Sequence, residues 1–142
     1  MQQHITHLNR EEIVRYLGWK GGQLTPQIQE LLTECIQATL QSIRPAYRYQ
    51  SFPITATAEG IAVDGTGLVL TGTSIARHLE RCERVYLLAG TIGLAHEQLL
   101  RRTMLTRPDA GVILDSCGSA AAEAVAESAD QEIQALVAGR GE

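Results

Sequence analysis

Several large protein classes are excluded by what this sequence lacks. No apolar run approaches the roughly 20 residues that a membrane-crossing helix needs. The opening Met1-Gln2-Gln3-His4-Ile5-Thr6-His7 has no basic start followed by an apolar stretch, so a cytoplasmic protein without membrane contact is expected. Cysteine is scarce: Cys35, Cys82 and Cys117 are odd in number and form no CxxC. That argues against a disulfide framework and against a structural zinc site. There is no basic excess either, with 12 Lys and Arg against 16 Asp and Glu and a net charge of −4. A nucleic-acid-binding face is therefore not expected, and Arg101-Arg102 with Arg107 reads as a solvated helix end. GxGxxG, GxxxxGK[ST] and GxSxG are all missing, which removes the usual signals for dinucleotide, nucleoside-triphosphate and serine-hydrolase chemistry.

What remains is one ordinary globular domain spanning residues 1–142, 44% hydrophobic and 20% charged, with enough apolar residues for a core. Asn9 caps a short helix, Arg10 to Leu17, with Glu12 three residues on and Leu8 placed to staple onto Ile13. Gly18-Trp19-Lys20-Gly21-Gly22 is a turn. Thr25-Pro26 opens a second helix, whose apolar positions Ile28, Leu31, Leu32, Cys35, Ile36, Leu40 and Ile43 keep a three-and-four spacing. Arg44-Pro45 ends it. Strands are expected over Tyr47 to Ile54, Gly60 to Val63, Leu68 to Leu70 and Val85 to Ala89. Asp64-Gly65-Thr66-Gly67 forms a hairpin turn between the second and third.

Thr73-Ser74 caps a short helix through Leu79. Gly90-Thr91-Ile92-Gly93 leads into another helix, through about Met104. A long alanine-rich helix follows from Pro108 to about Ala138, with a stripe at Ala110, Leu114, Cys117, Ala121, Val125, Ile133 and Leu136. Gly111, Gly118, Ala121 and Ala122 flatten part of it, so another backbone can approach. Internal glycines weaken a helix by roughly 1 kcal/mol each against alanine, and close packing is the expected reason for them. The fold class is thus α+β, a mostly antiparallel sheet of about four strands packed by helices, and Gly139 to Glu142 is a frayed end.

Residues able to carry chemistry are few. The junctions Thr71-Gly72-Thr73-Ser74 and Gly90-Thr91-Ile92-Gly93 can present backbone N–H groups to an anion, or are simply tight connections. His78 and Cys82, four apart on one helix face, are two metal ligands where a zinc site needs more. His4 and His7 fall in a flexible arm, and His96-Glu97 reads as an exposed helix start. Asp115, Glu123, Glu127 and Asp130 lie on the long helix. Asp115 and Glu123 are about 80° apart around its axis, while Glu123 and Glu127 share a face. They are either a solvated face or a site for a cationic group.

Four blocks in order resemble the activation domain of cobalamin-dependent methionine synthase in its short, single-domain form. They are Glu12 to Gly21 (EIVRYLGWKG), Leu68 to Ile75 (LVLTGTSI), Val85 to Gly93 (VYLLAGTIG) and Ile113 to Glu127 (ILDSCGSAAAEAVAE). The resemblance implies an α+β fold around a curved, largely antiparallel sheet. It implies a shallow groove for S-adenosylmethionine and docking on the cobalamin-binding module of methionine synthase or another corrinoid protein. There oxidised cob(II)alamin is reduced and remethylated. By the same resemblance Glu123 lies near the cofactor interface with Glu127 one turn on, Asp115 belongs to the short-form pattern, and Gly93 closes the third block.

The family's S-adenosylmethionine signature, an arginine before a proline-glycine-tyrosine turn after the long helix, does not occur before the chain ends at Glu142. Arg44-Pro45-Ala46-Tyr47 is similar but stands between the second helix and the first strand. The chain is then either a fragment or a reduced relative. Cobalamin would reach it through a partner. Two other roles stay open: binding of an S-adenosylmethionine-like molecule, and a structural role as a homodimer through the small-residue face of the long helix.

Overall fold

The computed structural model describes residues 5–20 and 22–140. Five helices and four strands follow one another along the chain: α1 (Arg10–Tyr16), α2 (Pro26–Ser42), β1 (Ala46–Ala56), β2 (Ile61–Val63), β3 (Val69–Leu70), α3 (Thr73–His78), β4 (Arg84–Thr91), α4 (Leu94–Thr106) and α5 (Pro108–Arg140). The α+β class is as expected, with a curled antiparallel four-stranded sheet and a long final helix. Every expected element is present. Its long helix runs two residues beyond the expected end, to Arg140. Gly21, Gly141, Glu142 and His4 lie outside the described residues.

The chain forms two compact units, residues 1–48 with 89–142 and residues 49–88. In the first, helix starts are set by local chemistry. Asn9 Oδ1 accepts the Glu12 N–H at 3.2 Å, and the Thr25 hydroxyl accepts the Ile28 N–H at 3.3 Å. Each satisfies a donor that the first helical turn cannot. Leu8 and Ile13 are both buried in one cluster with Leu32, Cys35, Ile43, Leu114, Cys117 and Ala121, so the staple across the start of α1 forms. Ile5 packs on the same cluster, so the N-terminal stretch expected to be a flexible arm is anchored from Ile5 onward, while His7 is exposed.

On α5 the stripe Ala110, Leu114, Cys117, Ala121, Val125, Ala129 and Ile133 is buried. Leu136 is not: it is 37% exposed, because the helix outruns the core. The two internal glycines do serve packing: Gly111 admits the side chain and backbone Cα of Met104, and Gly118 admits the ring of His96. A Cβ at Gly111 would stand 2.3 Å from Met104 Sδ, and one at Gly118 would stand 2.6 Å from His96 Nε2. Tyr47 donates its hydroxyl hydrogen to the Glu132 carboxylate, which ties the start of β1 to the far half of α5.

The second unit is built on strands. The sheet order is β3-β2-β1-β4, with Ile54 opposite Val63 and Ala62 opposite Val69 in antiparallel ladders. Gly65 takes φ +80 in the expected hairpin turn, and the Val63 N–H reaches the Leu68 carbonyl at 3.0 Å to close it. Gly60 is required for a different reason. At φ +151 its missing Cβ would lie 2.4 Å from the Leu70 carbonyl oxygen. Pro53 supplies only an acceptor, and its carbonyl takes the Asp64 N–H at 2.9 Å. Ile61 and Val63 are the buried residues of this unit.

Candidate functional site

The carboxylates singled out on the long helix share its outer side. At about 100° per residue, Glu123 stands roughly opposite the Ala121 stripe that faces the core. Asp115, Glu123, Glu127 and Asp130 are all exposed. They are brought together as a solvated acidic face, and none of them lines the cavities described below. Asp130 accepts from Gln134 Nε2 at 2.7 Å, and the open face suits contact with another surface better than enclosure of a small cation.

Gly93 occupies a tight corner. Its φ of +85 is a glycine conformation, and a Cβ there would stand 3.0 Å from Arg44 Cβ. Its N–H donates to Thr91 Oγ1 at 3.0 Å, and the preceding Ile92 carbonyl accepts the Arg44 N–H at 2.7 Å. These groups are used in joining β4 to α4, so the junction is a connection, with the Gly93 N–H turned inward to Thr91 and not toward a ligand. At the other junction, Thr73, Ser74, Arg77 and His78 line an open cavity of ≈ 360 Å³ on α3. That helix ends at His78, so Cys82 does not continue its face. The helical i, i+4 pairing expected of His78 and Cys82 therefore does not form. Among the described residues no three His, Cys, Asp or Glu side chains gather as metal ligands.

A larger groove of ≈ 450 Å³ runs between α1 and α2, lined by Arg10, Glu11, Val14, Leu24, Gln29 and Leu32. It is open and mostly apolar. The Arg10 guanidinium at its rim is held by the Thr33 hydroxyl at 3.0 Å, so the one strong cation there is already engaged.

The polar cluster that the sequence did not reveal is interior. His96, expected to be exposed, is 3% exposed. The reason is its position: it precedes Leu99 and Leu100 by three and four residues, and both pack on the core. Gly118 leaves the space that the ring fills. Ser42 Oγ lies 3.3 Å from His96 Nδ1 and 3.1 Å from the Thr39 carbonyl. Nε2 has no hydrogen-bond partner at normal distance.

Burial lowers the His96 pKa from its ordinary value, while the Leu114 carbonyl, Glu97 and Asp115 pull it partway back. The ring is therefore neutral near pH 7. Burial also pushes the Cys35 thiol up to about 11 and that of Cys117 up to about 12, so both behave as small apolar residues, as expected. Cys35 donates weakly to the Ala110 carbonyl at 3.6 Å.

This cluster has the residue types of a catalytic site and lacks its form. Ser42 is spent on a carbonyl, the thiols are far from ionising, and the ring is sealed beneath Gly118. It is a packed polar patch at the junction of α2, α4 and α5. The signal that could have found it was the helical spacing of His96 to Leu99 and Leu100, and for Glu132 its place on the core side of α5. No family model and no curated protein matches this chain.

Proposed function

We propose that the chain is an accessory module of a corrinoid-dependent methyltransferase system, docking on a partner that carries cobalamin. The observation that carries this reading is where the four family-like blocks fall. The first covers most of α1 and the turn after it. The second spans β3 into α3, the third covers β4 from Val85 and ends at Gly93, the N-cap of α4, and the fourth is the most buried part of α5. Four blocks in the same order, each on a different stretch of the chain's elements, support a common fold better than chance similarity of composition does. The α+β architecture with a curled sheet and a long final helix is the one that the resemblance implies.

The corrinoid would stay with the partner. Among the described residues no three metal-ligating side chains gather, and the imidazole of His96 is enclosed. The contribution of this chain would be surface: the acidic outer side of α5, with Glu123 and Glu127 a turn apart. Exposed charges of this kind govern association rate and orientation more than final affinity, and their effect is screened by salt.

Calorimetric titration with the cobalamin-binding module of methionine synthase tests the proposal. Binding is expected in at least one cobalt oxidation state. The double variant Glu123→Lys, Glu127→Lys should weaken it by about tenfold at low salt, and less at high salt. Absence of binding in every oxidation state would reject the reading. A melting-temperature rise with millimolar S-adenosylmethionine would add a ligand of the open groove to this function, and a flat response would leave docking alone.

A further inference from the structure

The strand β4 has the composition of an interior strand and the position of an edge. Two contacts fix how it lies against β1 within the second unit. Arg84 Nε donates to Ser51 Oγ at 2.8 Å, and the rings of Tyr86 and Tyr49 meet edge to face with centroids 6.2 Å apart. As the residue number rises along β4 it falls along β1, so the pair is antiparallel. Tyr86 and Leu88 share the face of Tyr49 and Ser51, and Val85 and Leu87 occupy the other, by the alternation of a strand. Both faces of β4 are thus apolar, the pattern of a strand flanked on both sides.

Its neighbours do not supply that surrounding. In the sheet order β4 has a strand on one side only. Val85, Tyr86 and Leu87 are only half-buried, and Leu88 is 38% exposed. The opposite edge is managed in the usual way, since β3 is two residues long and a short edge offers little to pair with. β4 is eight residues long. It contains no lysine and no proline, and its one charge, Arg84, stands at its first position and is bonded inward to Ser51.

We propose that the outer edge of β4, from Arg84 to Leu88, receives an extended apolar segment of a partner polypeptide, which adds there as a fifth strand. The edge itself dictates the chemistry of the occupant. Backbone donors and acceptors repeating along a strand are satisfied only by another extended backbone, and apolar residues on both faces favour an uncharged segment. Its size selects a segment over a second copy of the chain. Five residues give about 17 Å of edge and a sheet is about 10 Å thick, so the edge offers on the order of 170 Å², well short of the roughly 800 Å² per partner that a stable globular interface buries. This inference is independent of the corrinoid reading, and either can fail alone.

Hydrogen exchange read by NMR on the full chain tests it. The probe is a short synthetic peptide alternating valine and threonine with a lysine at each end. The control is the same peptide methylated on alternate backbone nitrogens, so that it cannot pair. With the probe at millimolar concentration, alternate amides between Val85 and Leu88 should exchange about tenfold more slowly or better, and the methylated peptide should give no change. Leu87→Lys should weaken the effect at least about tenfold, with exchange of the α5 amides as the check that the variant is folded. Unchanged exchange along β4 in the presence of the probe would overturn the proposal. So would protection of those amides, without peptide, that grows with protein concentration, because the occupant would then be a second copy.

Discussion

The helical unit and the strand unit of this chain bury their apolar residues to very different degrees. In the helical unit α1, α2, α4 and α5 enclose Ile13, Leu32, Cys117, Val125 and the half-polar neighbours Thr39 and His96 almost completely. In the strand unit burial is confined to Ile61 and Val63, while Leu68, Val69 and Leu88 remain open. Since stabilisation scales with apolar area removed from water, at about 25 cal/mol per Å², most of the fold's free energy resides in the helices. The strands hold their register through turns and ladders and leave apolar surface available. Exposed apolar surface is where partners can bind, and the helical unit also carries some, at Leu94, Leu105 and Val112, but there it lies outside a closed core.

The sharpest test of that contrast is truncation at the centre of the helical core. Leu32 is 1% exposed, and Leu32→Ala removes its contacts where neighbouring helices cannot easily collapse. A loss of about 2–5 kcal/mol is expected in denaturant unfolding. A loss below about 1 kcal/mol would mean that the helices are not the stable part.

Gly118→Ala probes the same core by adding an atom. Alanine improves helix propensity by about 1 kcal/mol, but its Cβ would stand 2.6 Å from His96 Nε2 and 2.9 Å from Cδ2. Overpacking of a buried ring outweighs the gain, for a net loss of about 1–2 kcal/mol. Gly139→Ala, which meets nothing within 4 Å, should instead be neutral or gain up to about 1 kcal/mol. Equal effects at the two positions would remove the packing explanation for Gly118.

Most of the fold was legible because its signals are local. Asn9, Thr25-Pro26, the Asp64 to Gly67 turn and the three-and-four spacing of α2 each specify a boundary or a face within a few residues. What was not legible depends on which partner a residue meets. The spacing of Asp115, Glu123 and Glu127 is readable, and so is the core stripe, yet a shared face says nothing of whether a groove lies beside it. His96 is a polar residue at a core position, and only the gap left by Gly118 on another helix lets it enter. The apolar run of β4 announces a strand with two covered faces, whereas the observed sheet ends there. For the candidate site, sequence supplied the chemistry and left the surroundings undetermined.

Acid should expose the buried ring. Burial lowers the folded-state pKa of His96 below that of an exposed histidine, so the unfolded chain binds the proton more readily. Linkage then gives a contribution fully present above about pH 6.5, draining as pH falls through that value toward the lower folded pKa. The negative charges of Glu97 on α4 and Asp115 on α5 act on the ring through space and reduce this drain without reversing it. Melting temperatures measured from pH 8 down to about 5 should fall more steeply for the native chain than for His96→Asn, which has no proton to gain there. Parallel curves would show that the imidazole is solvated in solution and that the helical core is looser than its packing implies.

The smallest effect is expected at the other end of the contrast. Leu88→Ala shortens an apolar side chain on the open edge of β4, where solvent already covers much of it, and the change in stability should stay within about 0.5 kcal/mol. Val63→Ala in the same unit should lose clearly more, since Val63 is 1% exposed and its methyl groups have no water to return to. The pair separates two meanings of a weakly buried strand unit. If Leu88→Ala lost as much as Val63→Ala in the purified protein at low concentration, the edge would already be covered by this chain, and no surface would remain there for a fifth strand. If only Val63→Ala loses stability, the apolar residues of β4 do little for the fold alone, and their presence on both faces requires an explanation from binding.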